Sequence, residues 1–188
     1  WSTILKRVPE SRLLIKSLAF DSEAMREETA SRLVARGIAR ERIEALKPVP
    51  GTGGHLSTYA RVDVALDTFP YTGTTTTCEA LFMGVPVVTL CPPPERSLHA
   101  GRVSASLLRC VGEAGLIAPS EERYIDLAAS LAADPAELAR LRGSLRGSLR
   151  SSPLCDGPGY CRRFEDLVWE GWRAVMEPGG GATGSARA

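Results

Sequence analysis

The sequence predicts an α/β fold in which a parallel sheet carries helices on both faces. Short apolar segments alternate along the chain with segments of helical periodicity, and this alternation is typical of parallel sheets. The segment 62–90 shows the unit most clearly, because an apolar strand, a polar turn, a helix and a second apolar strand follow one another. The 188 residues fit one domain with a sizeable core. Together these observations favour a Rossmann-like sheet.

The elements that precede this unit are predicted from breakers, caps and apolar runs. Pro9 ends a first helix, and Gly37 ends a second helix that begins at Asp21 or Ser22. Three consecutive apolar residues between them indicate a strand that is buried on both faces. In chain order we expect a helix over 1–8, a strand over 11–16, a helix over 21–36, a strand over 42–46 and a short helix over 56–61.

The elements that follow the strand 86–90 begin after a proline-rich segment, CPPPERS, which interrupts regular structure. The sequence strongly predicts a helix start at Asp134, because this cap residue is followed by proline at the first helical position and glutamate at the third. The last helix places its apolar residues along one stripe, and a glycine- and alanine-rich tail over 177–188 is expected to be disordered. We expect helices over 98–110, from Ser120, from Asp134 and over 159–176, with a brief strand over 115–118.

Composition excludes several classes of partner. Net charge is +1, with 23 basic and 22 acidic residues, so no strong field favours nucleic acid or an anionic membrane. No apolar run approaches the roughly 18 residues of a membrane span. The five cysteines lack CxxC spacing, which indicates a reducing compartment such as the cytoplasm or nucleus. Cys78 and Cys110 fall within apolar helical patterns and are expected to be small buried side chains.

Four threonines, Thr74 to Thr77, open the helix that follows the polar turn. The first-turn N–H groups of a helix are unpaired and the helix dipole is positive there, so a hydroxyl-rich start can hold a phosphate or diphosphate. The alternative is that the threonines only cap the helix. Asp67, at the end of the preceding strand, is expected to cap the turn through its side chain.

His55 is the second candidate, in a loop with the sequence GTGGHLSTY. A lone histidine is more often structural, but the flanking glycines let the backbone approach a ligand closely. His55 and the threonine turn both follow strands, and ligands in parallel sheets bind beyond the carboxyl ends of the strands. We therefore expect one crevice to hold both.

Several segments resemble the O-GlcNAc transferase and SPINDLY family of protein O-glycosyltransferases. They are WSTILKRVPESRLL at the start, LDTFPYTGTTTTCEALFMGVPVVTL from residue 66, HAGRVSASLL from residue 99 and SSPLCDGP from residue 151. The resemblance runs from Trp1 to about Met176 and includes several separate segments in the same order. It implies that residues 1–176 form the C-terminal, nucleotide-sugar-binding lobe of a two-lobed GT-B glycosyltransferase that works without a bound metal.

The same resemblance implies a donor site. His55 would line the nucleotide pocket, the hydroxyls and amides of Thr74, Thr75 and Thr76 would hold the diphosphate, and Glu79 would bind the ribose hydroxyls. Further candidates near the donor are Thr77, Ser97, His99 and Arg102. The donor stays open between UDP-GlcNAc and GDP-fucose, because SPINDLY, which uses GDP-fucose, and several bacterial relatives share the threonine run and the glutamate.

The implied reaction is the transfer of GlcNAc or fucose from the nucleotide sugar to Ser or Thr of a protein. The first strand of the lobe, the first catalytic lobe and the tetratricopeptide repeats that select protein substrates are expected to lie before Trp1. The general base would lie there as well, so we expect no catalytic residue in this segment and no turnover by the segment alone. The alternatives are a non-catalytic fold or interaction module and a GT-B enzyme that acts on a small molecule.

Overall fold

The computed structural model describes residues 1–93 and 98–176, and over these residues helices and short strands alternate. The strands are β1 (Leu13–Lys16), β2 (Ile43–Leu46), β3 (Ala65–Leu66), β4 (Val87–Leu90) and β5 (Ile117–Ala118). The α-helices are α1 (Ser2–Arg7), α2 (Glu23–Val34), α3 (Thr52–Ser57), α4 (Thr75–Phe82), α5 (Val103–Cys110), α6 (Glu121–Ala132), α7 (Pro135–Ser151) and α8 (Gly157–Met176). The tail predicted over 177–188 and residues 94–97 of the proline-rich segment lie outside the described residues.

Every strand pairing among the described residues is parallel, which confirms the α/β class. Strand β1 pairs with β2, and β4 pairs with β3 on one side and β5 on the other. Hydrogen bonding thus forms two sheets where the sequence predicted one. The reason is that, over the described residues, neither β1 nor β2 forms backbone ladder hydrogen bonds with β3, β4 or β5.

The core is centred on β4, whose four residues are all buried. Helices α4, α5, α6 and α7 supply the side chains that cover it, among them Leu81, Leu108 and Leu141, each with no exposed surface. A smaller cluster covers β2 and contains Leu5, Ala30, Leu33, Ile38 and Ile43. This packing holds the carboxyl end of β3 and the start of α4 on a rigid base.

Two predicted helix starts are confirmed by their caps. The Ser120 hydroxyl accepts a 3.2 Å hydrogen bond from the N–H of Arg123, at the start of α6. The Asp134 carboxylate accepts a 3.0 Å bond from the N–H of Glu137, with Pro135 as the first residue of α7. Each side-chain oxygen thereby satisfies one of the N–H groups that a helix start leaves unpaired.

Helix α8 carries the predicted apolar stripe, but the described part of the chain does not cover it. Its five stripe residues are each more than half exposed, namely Phe164, Leu167, Val168, Trp172 and Val175. The expectation that Cys110 is buried is wrong, because this residue ends α5 and its side chain is exposed, while Cys78 is half-buried. No helix in the described ranges is both long and apolar enough to cross a membrane.

Candidate functional site

The turn that follows β3 is organised by the carboxylate of Asp67, which is only 8% exposed. Its Oδ1 atom accepts hydrogen bonds from the N–H groups of Thr68 at 3.1 Å and Gly73 at 2.8 Å. Its Oδ2 atom accepts a 2.6 Å bond from the hydroxyl of Thr89 on β4. The prediction that Asp67 caps this turn is confirmed, and the carboxylate also joins the turn to β4 through the bond from Thr89.

A second set of buried hydroxyls fixes the far end of the same turn. The N–H and the hydroxyl of Thr72 both donate to the carbonyl of Ala100, at 3.0 and 2.8 Å. The hydroxyl of Ser104 donates to the carbonyl of Gly73 at 2.9 Å and therefore accepts from Thr77, whose hydroxyl lies 2.8 Å away. Thr77 is buried at 3% exposure, so its side chain joins α4 to α5 and does not face solvent as the other threonines do.

The three remaining threonines form an exposed, hydroxyl-rich start to α4. Thr74 is the residue before the first helical turn, and its side chain makes no capping hydrogen bond. Thr75 and Thr76 are also exposed. A Cβ at Gly73 would lie 2.9 Å from the hydroxyl of Thr76, so the turn can approach the helix this closely only with glycine. Since Thr74 does not cap the helix, the capping interpretation does not account for its hydroxyl.

His55 lies in helix α3 and not in a loop as the sequence suggested. The helix begins after Gly51, which has a φ of +79°, a conformation that glycine adopts without strain. A Cβ at Gly54 would lie 2.6 Å from Cγ1 of Val49, so glycine at this position lets the helix pack closely against the preceding loop. The physical reason for the correction is that this close packing outweighs the low helix propensity of glycine.

The ring of His55 links two elements through its two nitrogens. Nε2 lies 2.8 Å from Oε2 of Glu79 on α4, and the two side chains are 30% and 25% exposed. Nδ1 lies 2.5 Å from Nζ of Lys16, the last residue of β1. The sequence analysis missed Lys16. The signal that was available is its position at the carboxyl end of a parallel strand, where such sheets bind ligands.

Tyr59 is a second residue that the sequence analysis missed. Its ring contacts His55 edge to face, with centroids 5.9 Å apart, and its hydroxyl donates to the carbonyl of Thr76 at 3.2 Å. Burial, followed by the negative charge of Glu79, raises the pKa of Tyr59 to about 12. The signal that was available is its spacing of four residues from His55, which places both side chains on one face of a helical segment.

The His55 ring, Glu79 and the start of α4 border an open cavity of about 520 Å³, a volume within the range of small-molecule sites. Four predicted site residues line it, namely His55, Thr75, Thr76 and Glu79, together with Val49, Gly51 and Thr52. Thr74 lies at the adjoining helix start. His99 and Arg102 are exposed on the turn before α5, and neither is among the described residues that line the cavity. Ser97 lies outside the described residues.

The arrangement of parallel strands, buried polar turn and hydroxyl-rich helix start is similar to that of a solved glycosyltransferase. An O-GlcNAc transferase from Thermobaculum terrenum, solved as the K341M mutant, superposes with a TM-score of 0.84 and 42% sequence identity. The match covers 93% of this chain and 32% of that chain. The predicted fold class, an α/β fold of the GT-B glycosyltransferase type, is therefore confirmed.

The chain belongs to Glycosyl transferase family 41, whose family model matches residues 1–164. A rice protein described as a probable UDP-N-acetylglucosamine–peptide N-acetylglucosaminyltransferase SPINDLY is 43% identical over 177 residues, or 94% of this chain. The UDP-N-acetylglucosamine–peptide N-acetylglucosaminyltransferase of Caenorhabditis elegans is 33% identical over 173 residues. The chain spans 19% of the rice protein and 14% of the nematode protein. The resemblance seen in the sequence is thus confirmed, and the chain is part of the catalytic region of a glycosyltransferase.

Proposed function

We propose that this lobe binds the nucleoside diphosphate of a sugar donor in the cavity between α3 and α4. Within the whole protein it would thereby support the transfer of GlcNAc or fucose to Ser or Thr of proteins. The observation that carries the proposal is the approach of His55 to Glu79, 24 positions apart in sequence and 2.8 Å apart in space, beside the exposed start of α4.

The diphosphate is assigned to the start of α4. The N–H groups of a first helical turn and the positive end of the helix dipole attract anions. The exposed hydroxyls of Thr74, Thr75 and Thr76 add donors at the same place. Because the buried carboxylate of Asp67 holds the preceding turn, these donors are fixed before a ligand arrives, and they are suited to stabilise the charge on a departing diphosphate.

The nucleoside is assigned to the part of the cavity lined by Val49, His55 and Glu79. A carboxylate offers two oxygens with about four lone-pair sites, so Glu79 holds the His55 ring and still accepts hydrogen bonds from ribose hydroxyls. The aliphatic side chain of Val49 supplies an apolar contact for one face of the sugar or base.

The donor and the acceptor are assigned by similarity. The names of the rice and nematode relatives specify UDP-N-acetylglucosamine and a peptide, which supports UDP-GlcNAc as the donor and a protein as the acceptor. GDP-fucose is the other donor that the SPINDLY resemblance supports. Metal independence, a protein acceptor selected by tetratricopeptide repeats, and a cytoplasmic or nuclear location stay predictions.

Calorimetric titration of this chain with UDP, GDP and ADP tests the proposal. We expect saturable binding of UDP or GDP and weaker binding of ADP, since the phosphates are shared and the bases differ. Inorganic pyrophosphate serves as the control for a bare anion site. Absence of binding by both UDP and GDP, in a preparation that unfolds cooperatively, would contradict the proposal and favour a fold or interaction module.

A further inference from the structure

We propose that Lys16 is a positioning residue that fixes the hydrogen-bonding state of the His55 ring at the cavity. The inference rests on the proposed function, because a fixed ring matters only if the cavity receives a ligand. It adds a residue of β1 to a site that is otherwise built from α3 and α4.

The chemistry of the two contacts of His55 determines where the ring hydrogen lies. A lysine ammonium group offers donors and no acceptor. Since Nζ of Lys16 lies 2.5 Å from Nδ1 of His55, Nδ1 must be the acceptor in this contact and carries no hydrogen. The ring hydrogen is therefore on Nε2, which donates to Oε2 of Glu79 at 2.8 Å. The hydrogen bond made by one ring nitrogen thus decides whether the other nitrogen carries the hydrogen.

The two hydrogen bonds of His55 run in one direction, from the end of β1 to the cavity. Lys16 donates to His55, and His55 donates to Glu79, so a cation in the strand and an anion in the helix are joined through one ring. Tyr59 contacts the ring edge to face and adds a steric limit on its rotation. Without the lysine, Nδ1 loses its donor, and the ring is free to turn over or to take a hydrogen on Nδ1.

Lys16 acts through His55 and not on a ligand directly. It is half-buried, and it is not among the described residues that line the cavity. Replacement of Lys16 is therefore expected to reduce the affinity for the nucleotide. His55 and Glu79 are then less ordered before binding, so ordering them adds to the entropic cost of binding. Lys47 provides a matched control, since it is an exposed lysine just after the neighbouring strand β2.

The test compares the wild-type chain with Lys16→Met and Lys47→Met. The chain has two histidines, so a nitrogen-15 correlation spectrum of the imidazole rings shows two sets of signals, and His99 serves as an internal reference. In the wild type we expect the hydrogen of His55 on Nε2 alone. In Lys16→Met we expect a fraction with hydrogen on Nδ1, unchanged His99 signals and UDP or GDP affinity weaker by about tenfold. Lys47→Met should match the wild type in both measurements.

Two results would overturn the inference. One is a wild-type spectrum with hydrogen on Nδ1 of His55, which needs no variant and so is independent of any folding defect. The other is a Lys16→Met chain that keeps the wild-type His55 signals and affinity. Failure of the wild type to bind UDP and GDP is a different outcome, because it overturns the proposed function while the spectrum still tests the contact between Lys16 and His55.

Discussion

The hydroxyl of Thr89 donates to Oδ2 of Asp67 at 2.6 Å, and this buried bond joins the middle strand β4 to the turn that precedes the threonines. The same carboxylate accepts two backbone N–H groups, so a single side chain serves three donors. Tyr124 adds a fourth contact, because its hydroxyl donates to the carbonyl of Asp67 at 2.9 Å. The geometry of the site therefore depends on a residue that does not line the cavity.

Replacing Asp67 with alanine is expected to lower the free energy of unfolding by about 3 kcal/mol, since it leaves buried donors without an acceptor. Urea unfolding measures the loss. Asp63→Ala is the matched control, because Asp63 lies on the approach to the same strand but its side chain is 82% exposed. That control should stay within about 0.5 kcal/mol of the wild type. Equal losses in the two variants would show that Asp67 does not organise the turn.

The double variant Thr75→Val, Thr76→Val tests the diphosphate assignment. Valine keeps the shape of threonine but removes the hydroxyl, so we expect the affinity for UDP or GDP to fall by at least about tenfold while the free nucleoside is unaffected. Titration calorimetry measures both affinities. Thr29→Val, at a half-buried helical threonine on α2 whose hydroxyl donates to the carbonyl of Met25, controls for the loss of a hydroxyl elsewhere. Unchanged diphosphate affinity in the double variant would refute the assignment.

Glu79→Gln tests the ribose contact. The amide keeps the size of the side chain but replaces one carboxylate oxygen with a donor, so it accepts ribose hydroxyls less well. We expect the wild type to bind UDP or GDP more tightly than the corresponding 2′-deoxynucleotide, and we expect the variant to lose most of that preference. The deoxynucleotide is the internal control. A preference that survives in the variant would place the ribose away from Glu79.

The sequence predicted those parts of the fold that depend on residues close together in the chain. The cap of Asp134 on Glu137 and the apolar strand β4 depend on neighbouring residues, and both were predicted correctly. The boundary of α3 was not, because the packing of Gly54 on Val49 depends on a loop conformation that no local pattern specifies.

The candidate site was likewise predicted only in part. Family resemblance led to His55 and Glu79, since Glu79 lies in the segment that begins at residue 66 and His55 matches a histidine at the corresponding place in the family. It did not lead to Lys16, whose partner lies 39 positions away, or to Ser104, which meets Thr77 across 27 positions. These roles exist only after the chain brings a strand end and two helices together, so they require the tertiary structure.

The pH dependence of stability provides a test of the environment of Tyr59. Its pKa is raised from 10.0 to about 12, first by burial and then by the negative charge of Glu79. A raised pKa means that the folded chain keeps the proton while the unfolded chain loses it. The contribution of Tyr59 to stability is therefore complete below pH 10 and is lost as the pH rises towards 12.

Tyr59→Phe removes this titration, and it also removes the hydroxyl that donates to the carbonyl of Thr76. We expect the variant to be less stable than the wild type below pH 10, and we expect this difference to shrink as the pH rises above 10. Urea unfolding on both sides of pH 10 measures the difference. Tyr71→Phe is the control for loss of a phenol hydroxyl at an exposed position, because Tyr71 is 71% exposed, and this variant should stay within about 0.5 kcal/mol of the wild type. A difference for Tyr59→Phe that stays constant with pH would mean that the phenol is solvated, and that burial does not raise its pKa.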